Sequence, residues 1–122
     1  MNYIDGFVLA VPKENKQKFI EHAQFMDSIF MDYGALRVME CWEDDVETGV
    51  NTDFRRAVDA EDAEAIVFSW IEWPSKEARE EAYRLMEDLM KTDARFDSTK
   101  YPVPFDGSRM IYGSFAPVFN LP

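Results

Sequence analysis

Apolar residues cluster in short runs of strand length at four places along the chain. The first run, residues 3–11, ends at Pro12, which lacks the amide donor that continued pairing requires. Further runs at residues 35–42, 66–73 and 109–119 predict three more strands. All of the runs are much shorter than a membrane-spanning helix.

Helical spacing appears in two segments between these runs. From residue 13 to residue 33 the apolar positions recur at alternating steps of four and three, and Gly34 provides a stop. Ser75 is a plausible N-cap for a second helix, in which an apolar stripe runs from Ala78 to Met90 and the other face is charged. Both segments are predicted to be amphipathic helices.

Two connections are long enough to need an interpretation of their own. In residues 46–65, alternation at Thr52, Phe54, Arg56 and Val58 predicts a short extra hairpin. Residues 93–108 exceed most loops in compact domains, which predicts a lid or a flexible insertion. The end of this loop, with Pro102, Pro104 and Asp106-Gly107, is expected to anchor the start of the last strand.

The order strand, helix, strand, strand, helix, strand predicts an α+β, ferredoxin-like βαββαβ sandwich: a four-stranded antiparallel sheet with two helices on one face. Residues 1–122 are expected to form a single domain. On the first strand, Tyr3 and Phe7 point one way while Ile4 and Val8 point the other, so both sheet faces are apolar. Since two helices cover only one face, we expect a homodimer whose sheets pack face to face.

Charge narrows the possible partners. The chain has 24 acidic and 13 basic residues, a formal net charge of −11. Nucleic acids and anionic membranes bind through clustered lysine and arginine, so neither is an expected partner. The first residues do not resemble a secretory signal, and a lone cysteine, Cys41, excludes an internal disulfide. We therefore expect a cytoplasmic protein.

Six segments carry a resemblance to a known family. They read YIDGFV at residues 3–8, GALRV at 34–38, ECWEDD at 40–45, DFRRAV at 53–58, FSWIEWP at 68–74 and PFDGSRMIYG at 104–113. Together they resemble the bacterial YbaA-like family, which is similar to the dimeric α/β-barrel superfamily. The resemblance implies two ferredoxin-like protomers that close their sheets into a shared barrel. It implies no catalytic residue, because the family is uncharacterised.

Three residues are candidates for a general base: His22, Asp5 and Glu72. His22 is the only histidine, which excludes multi-histidine metal sites, and it falls on the apolar arc of the first helix. The favoured interpretation of His22 is a core histidine bonded to a carboxylate or a backbone carbonyl, with the general base as the alternative. Cys41 is expected to be inert. The acidic run at residues 43–47 lacks the ligand spacing of a calcium loop and is interpreted as a solvated turn, so no metal is expected.

Polar residues within the strands suggest a ligand-binding chamber. We assume that the strand faces that carry these polar residues all line the barrel interior. The candidate ligand-binding residues are then Tyr3, Phe7, Glu40, Trp42, Phe68, Trp70 and Tyr112. Either Arg37 or Arg109 is the expected ion-pair partner of the buried acids. The alternative is that these residues fill the dimer core and satisfy one another.

Two functional hypotheses follow. In the first, a homodimer binds a small apolar or aromatic molecule in the barrel. It then acts without a cofactor in a monooxygenase- or isomerase-like reaction, as the resemblance allows. In the second, a non-catalytic dimeric module has its barrel filled by side chains and contacts another protein. A hollow interior favours the first hypothesis, and normal packing density favours the second.

Overall fold

A computed structural model describes residues 2–122. The four strands are β1 (Tyr3–Pro12), β2 (Arg37–Trp42), β3 (Glu64–Trp73) and β4 (Ile111–Phe115). The helices are α1 (Lys16–Asp32), the single turn α2 (Phe54–Ala57) and α3 (Lys76–Thr92). Short 3-10 turns span Lys13–Asn15, Ala94–Phe96 and Gly107–Arg109.

The strands form one antiparallel sheet in the order β2-β3-β1-β4. The long central strands pair along their whole length, from Tyr3 opposite Trp73 to Pro12 opposite Glu64. The predicted ferredoxin-like α+β fold is confirmed. No helix in the described part of the chain is long and apolar enough to span a membrane.

The main core lies between the sheet and the two long helices. Leu9, Val11 and Val67 pack against Phe19 and Ala23 of α1. At the other end, Ile71 and Trp73 pack against Ala82 of α3. Because these strand positions alternate with period two, they define the helix-covered face of the sheet.

Local sequence explains where the long helices begin and end. The Ser75 hydroxyl accepts a hydrogen bond from the Ala78 amide at 3.0 Å, so Ser75 is the N-cap of α3 as predicted. After α1, Gly34 adopts φ +112°, a conformation that residues with a side chain rarely adopt. The first helix starts later than predicted because Lys13–Asn15 form a 3-10 turn.

The predicted hairpin at residues 46–65 is wrong. This connection contains α2 instead, because Asp53 caps it by accepting a hydrogen bond from the Arg56 amide at 2.8 Å. Val58, just beyond α2, is buried and packs against Val8 and Ile66 on the face opposite the long helices. The chain therefore covers one end of its own second face.

The rest of that second face, called the open face below, remains apolar and accessible. Phe68, Ile111 and Phe115 are 44%, 45% and 60% exposed. With their neighbours on β1 and β3 they line a groove of about 710 Å³. An accessible apolar area of this kind is typical of an interaction surface.

The long connection after α3 is packed against α1 in this structure. The rings of Phe96 and Phe25 lie 5.3 Å apart, and those of Phe105 and Phe19 lie 6.0 Å apart. Its end is anchored by Arg109, which contacts the buried carboxylate of Glu64 at 2.7 Å. The last strand accordingly starts at Ile111, after the 3-10 turn Gly107–Arg109, and not at residue 109 as predicted.

Candidate functional site

A cavity of about 190 Å³ lies between α1 and the helix-covered face of the sheet. Most of its wall is apolar and includes Phe7, Phe19, Phe30 and Phe105. Four polar residues also line this inner cavity, namely His22, Asp27, Glu40 and Ser69. An apolar chamber with a few convergent polar groups is the usual make-up of a small-molecule site.

The polar corner of the cavity is built by three elements. Asp27 comes from α1, Glu40 from β2 and Ser69 from β3, directly opposite Glu40 in the sheet register. The two carboxyl groups, called the carboxyl pair below, line the same corner as Ser69 and are close enough to shift each other's pKa. Ser69 is only 4% exposed, so the pair is tied to the interior of the protein.

Burial changes the protonation of the carboxyl pair. Loss of solvent raises the pKa of Asp27 to about 6, although its hydrogen bond to Glu40 opposes the shift. Loss of solvent, followed by repulsion from Asp27, raises the pKa of Glu40 to about 8. Glu40 is exposed as a residue, and it also lines the inner cavity beside Asp27 and Ser69. Two carboxyls in contact do not both ionise readily, so the pair retains a proton near neutral pH.

The carboxyl pair should make stability depend on pH in a defined direction. The ordinary pKa values of about 3.9 and 4.3 apply in the unfolded chain, so between about pH 4 and pH 8 the folded chain holds more protons. Stability should therefore fall as the pH rises through this window. We expect the loss of unfolding free energy across this pH window to be about 1 kcal/mol smaller in Glu40→Gln than in the wild-type protein. This figure is reduced because Glu40 is exposed.

The measurement is urea unfolding of both proteins at pH 5.5 and pH 8.5. Glu87→Gln, at an exposed position on α3, is the matched control and should keep the wild-type difference between the two pH values. An unchanged difference in Glu40→Gln would contradict the raised pKa of the pair.

An outer cleft of about 720 Å³ between α1 and β2 adjoins the inner cavity. Asp27 and Glu40 line both spaces, so the carboxyl pair stands where the two meet. Trp42 lies in the outer cleft, with the Lys16 ammonium 5.3 Å from the centre of its ring. The cleft gives a route from solvent to the carboxyl pair.

Among the predicted bases, only His22 lines the inner cavity. Its imidazole packs edge-on against Phe105, with ring centres 5.9 Å apart. Burial lowers the pKa of His22, so the ring is neutral at pH 7 and has a nitrogen that can accept a proton.

Asp5 lies elsewhere and is fully occupied. Its carboxylate is 2% exposed and accepts hydrogen bonds from Trp73 Nε1 at 2.9 Å, Arg79 Nε at 2.7 Å and Ser114 Oγ at 2.6 Å. The Tyr83 hydroxyl donates a further bond at 3.2 Å. Its ion-pair partner is Arg79, so the predicted pairing with Arg37 or Arg109 is wrong for Asp5, whereas Arg37 does pair with Glu72. Asp5 ties β1 to β3, β4 and α3 and does not line the cavity.

The predicted single chamber is also wrong, because the sheet register divides its residues between two faces. Phe7 pairs with Ser69, so Phe68 and Trp70 point away from Phe7 and line the groove on the open face. Glu72 shares that face and contacts Arg37 at 3.3 Å. Strand alternation leaves Phe7 and Glu40 on the cavity side.

The two remaining ligand-binding candidates lie outside the inner cavity. Tyr3 packs beside Trp73 in the core beneath α3. Tyr112 is 74% exposed on the edge strand β4. Neither residue lines the inner cavity or the outer cleft.

Two residues of the polar corner were missed by sequence reasoning, although the pattern contained a signal for each. Asp27 follows Ala23 by four positions, which places an acid on the apolar stripe of α1. Ser69 lies between Val67 and Ile71 on the buried face of a strand. A polar residue at an otherwise apolar, buried position needs a partner, and here the two positions converge on Glu40.

The acidic run after β2 has structural contacts. Glu43 accepts hydrogen bonds from Arg55 at 2.9 Å and from the Ile66 amide at 2.7 Å. Among residues 2–122, no group of three or more histidine, cysteine or acidic side chains is placed to hold a metal ion. Cys41 is a free, half-buried thiol on β2.

A four-stranded antiparallel sheet with helices on one face places the chain in the ferredoxin-like class. A solved structure described as a dimeric ferredoxin-like protein from an uncultured marine organism shares this fold, with a TM-score of 0.53 and 11% identity over 99% of this chain and all of that one. The chain belongs to the family described as protein of unknown function (DUF1428), which residues 2–107 match. The uncharacterised protein YbaA of Escherichia coli K12 is 48% identical over 120 residues, 98% of this chain and 99% of the relative, and the Shigella flexneri protein is equally similar.

Proposed function

We propose that the protein is a homodimer that binds a small, mainly apolar molecule in the inner cavity of each protomer. The observation that carries this proposal is the cavity of about 190 Å³, with aromatic walls and one polar corner. The corner offers a protonated carboxyl as donor and a carboxylate as acceptor, which suits a ligand with one oxygen-containing group.

The cavity limits the size of the ligand. An apolar protein cavity of about 150 Å³ stays dry and holds benzene, so this slightly larger space suits a single ring with a short substituent. The neighbouring wall residue Ala23 is small and 9% exposed, and it contributes to the open space between Phe19 and Phe30. A larger ligand would extend past the carboxyl pair into the outer cleft.

The homodimer rests on the open face. The single protomer exposes 8358 Å², about 1,600 Å² more than a compact monomer of 14.2 kDa is expected to expose. A standard interface buries about 800 Å² on each partner, so this excess is enough for one. A two-fold dimer buries the same surface of each copy in its interface. A second copy carries the same apolar groove, so the two open faces can cover each other. The similar marine protein is itself described as dimeric.

Ligand binding is tested by thermal unfolding in the presence of phenols, quinones, small ketones and short fatty acids. A compound present at about 100 times its Kd should raise Tm by about 10 °C, because it binds only the folded state. Ala23→Leu should abolish this rise by filling the cavity. Ala78→Leu, the same change at a half-buried position on α3, should leave it intact.

The alternative function is a non-catalytic dimeric module. A flat response to every compound class, or a wild-type rise in Tm that Ala23→Leu leaves unchanged, would reject the cavity and favour that module.

A further inference from the structure

We propose that Asp27 and Glu40 act as an acid–base pair that moves a proton between carbon and oxygen of a neutral carbonyl compound bound in the inner cavity. This inference rests on the proposed function and adds a reaction and a substrate class to it. The protein would then be an enzyme of the keto–enol isomerase kind.

Geometry supplies the first support. The two carboxyls come from different elements, α1 and β2, and meet at the one polar corner of an otherwise apolar cavity. Ser69 is buried and lies directly opposite Glu40 in the pairing of β2 with β3, beside the same corner. A ligand in the cavity therefore meets an acid and a base at the same end.

The charges around the carboxyl pair leave it free to share a proton. Of the other ionisable groups that line the cavity or the cleft, His22 and Lys16 come from α1 and Arg37 from β2. His22 has a lowered pKa because of burial and is neutral at pH 7. Lys16 is placed over Trp42, and Arg37 contacts Glu72 on the open face. Ser69 of β3, together with Phe105 and Met110, adds no charge.

The chemistry requires no oxidant or reductant. The ionised carboxylate removes a proton from the carbon next to the carbonyl, and the electron pair of that C–H bond becomes the C=C bond of the enol. The carbonyl oxygen takes its proton from the protonated carboxyl. The carboxyl that took the proton then gives it to the same or a conjugated carbon, while the other carboxyl takes back the O–H proton of the enol. This regenerates the ketone, with the double bond moved when the conjugated carbon is protonated, and restores the pair.

Burial raises the pKa of both carboxyls, and the pair shares one proton near neutral pH. One carboxyl of the pair is therefore ionised and serves as the base, while its partner is protonated and serves as the acid. Catalytic carboxyls function best when their pKa is close to the working pH. The apolar wall and the net charge of −11 both favour a neutral substrate over an anion.

The experiment uses cyclohexanone and acetophenone as probes, dissolved in D₂O with the full-length protein. Proton NMR follows exchange of the hydrogens next to the carbonyl, and broadening of the probe signals reports binding. We expect wild-type protein to accelerate exchange and the isosteric variants Asp27→Asn and Glu40→Gln to lower that rate at least 100-fold while still binding. Asp32→Asn, the same change at an exposed position on α1, should leave the rate unchanged.

The outcomes separate this inference from the proposed function. Probes that bind without accelerated exchange, or exchange that both variants retain, would overturn the acid–base pair and leave ligand binding intact. If neither ketone binds, the substrate class is wrong, while stabilisation by another compound class would still support the proposed function.

A ligand-free readout tests the pair directly. In a carbon-13 NMR titration, the Glu40 carboxyl should titrate well above its ordinary pH and should move to lower pH in Asp27→Asn. Ordinary titration of Glu40 in the wild-type protein would also overturn the inference.

Discussion

Replacing Asp5 by alanine should lower the free energy of unfolding by about 3–5 kcal/mol, the usual cost of leaving a buried charge without its partner. Arg79 would lose the carboxylate that its Nε contacts at 2.7 Å, and Trp73 Nε1 would lose its acceptor. Ser114, on β4, would lose its bond as well. A single change would thus weaken the attachment of β4 and α3 to the central strands.

Urea unfolding monitored by circular dichroism measures this loss. Glu81→Ala is the matched control, because Glu81 also pairs with an arginine, Arg84, but on the surface of α3, where its side chain is 57% exposed. Exposed pairs contribute about 0–1 kcal/mol, so the control should remain near wild type. Equal small losses in both variants would show that the Asp5 network does not hold the sheet and helix together.

The fold could be predicted from the sequence because the features that determine its helices and strands are local. Ser75 and Gly34 mark helix ends through capping chemistry that depends on a few neighbouring atoms. Strand β3 carries apolar side chains on both faces, a pattern that is visible in one stretch of sequence. Such signals do not depend on knowing which distant segments meet.

Register is a non-local property, and the prediction of the site failed on it. Alternation shows that Phe7 and Asp5 share a face, but only the pairing of Phe7 with Ser69 shows that Phe68 is on the opposite one. The residues gathered into one chamber therefore belong to two surfaces. One of these is the cavity wall, and the other is the open face.

The covering of the open face was likewise only partly predictable. Alternating residues in 46–65 resemble a strand, but the Asp53 cap turns residues 54–57 into a helical turn. That turn leads to Val58, which buries one end of the open face within the same chain. What remains for a second copy is the region around Phe68, Ile111 and Phe115.

Introducing a negative charge at Phe68 should convert the proposed homodimer into a monomer. The ring lies on the central strand β3, is 44% exposed and is in contact with Trp70, 5.8 Å away between ring centres. On a two-fold interface, Phe68→Glu places two carboxylates without partners in an apolar contact. Burying these charges costs far more free energy than burying one phenyl ring contributes to the interface. The protomer itself should still fold, because position 68 is already accessible to water.

Sedimentation velocity at micromolar concentration distinguishes the two states, with the wild-type protein expected at twice the 14.2 kDa chain mass and Phe68→Glu at the single mass. Leu85→Glu makes the same change at a side chain that is 39% exposed on α3, away from the open face, and should remain dimeric. Circular dichroism should give the same helix and strand content for all three proteins. A wild-type monomer, or a Phe68→Glu dimer, would mean that the open face is not the contact between copies.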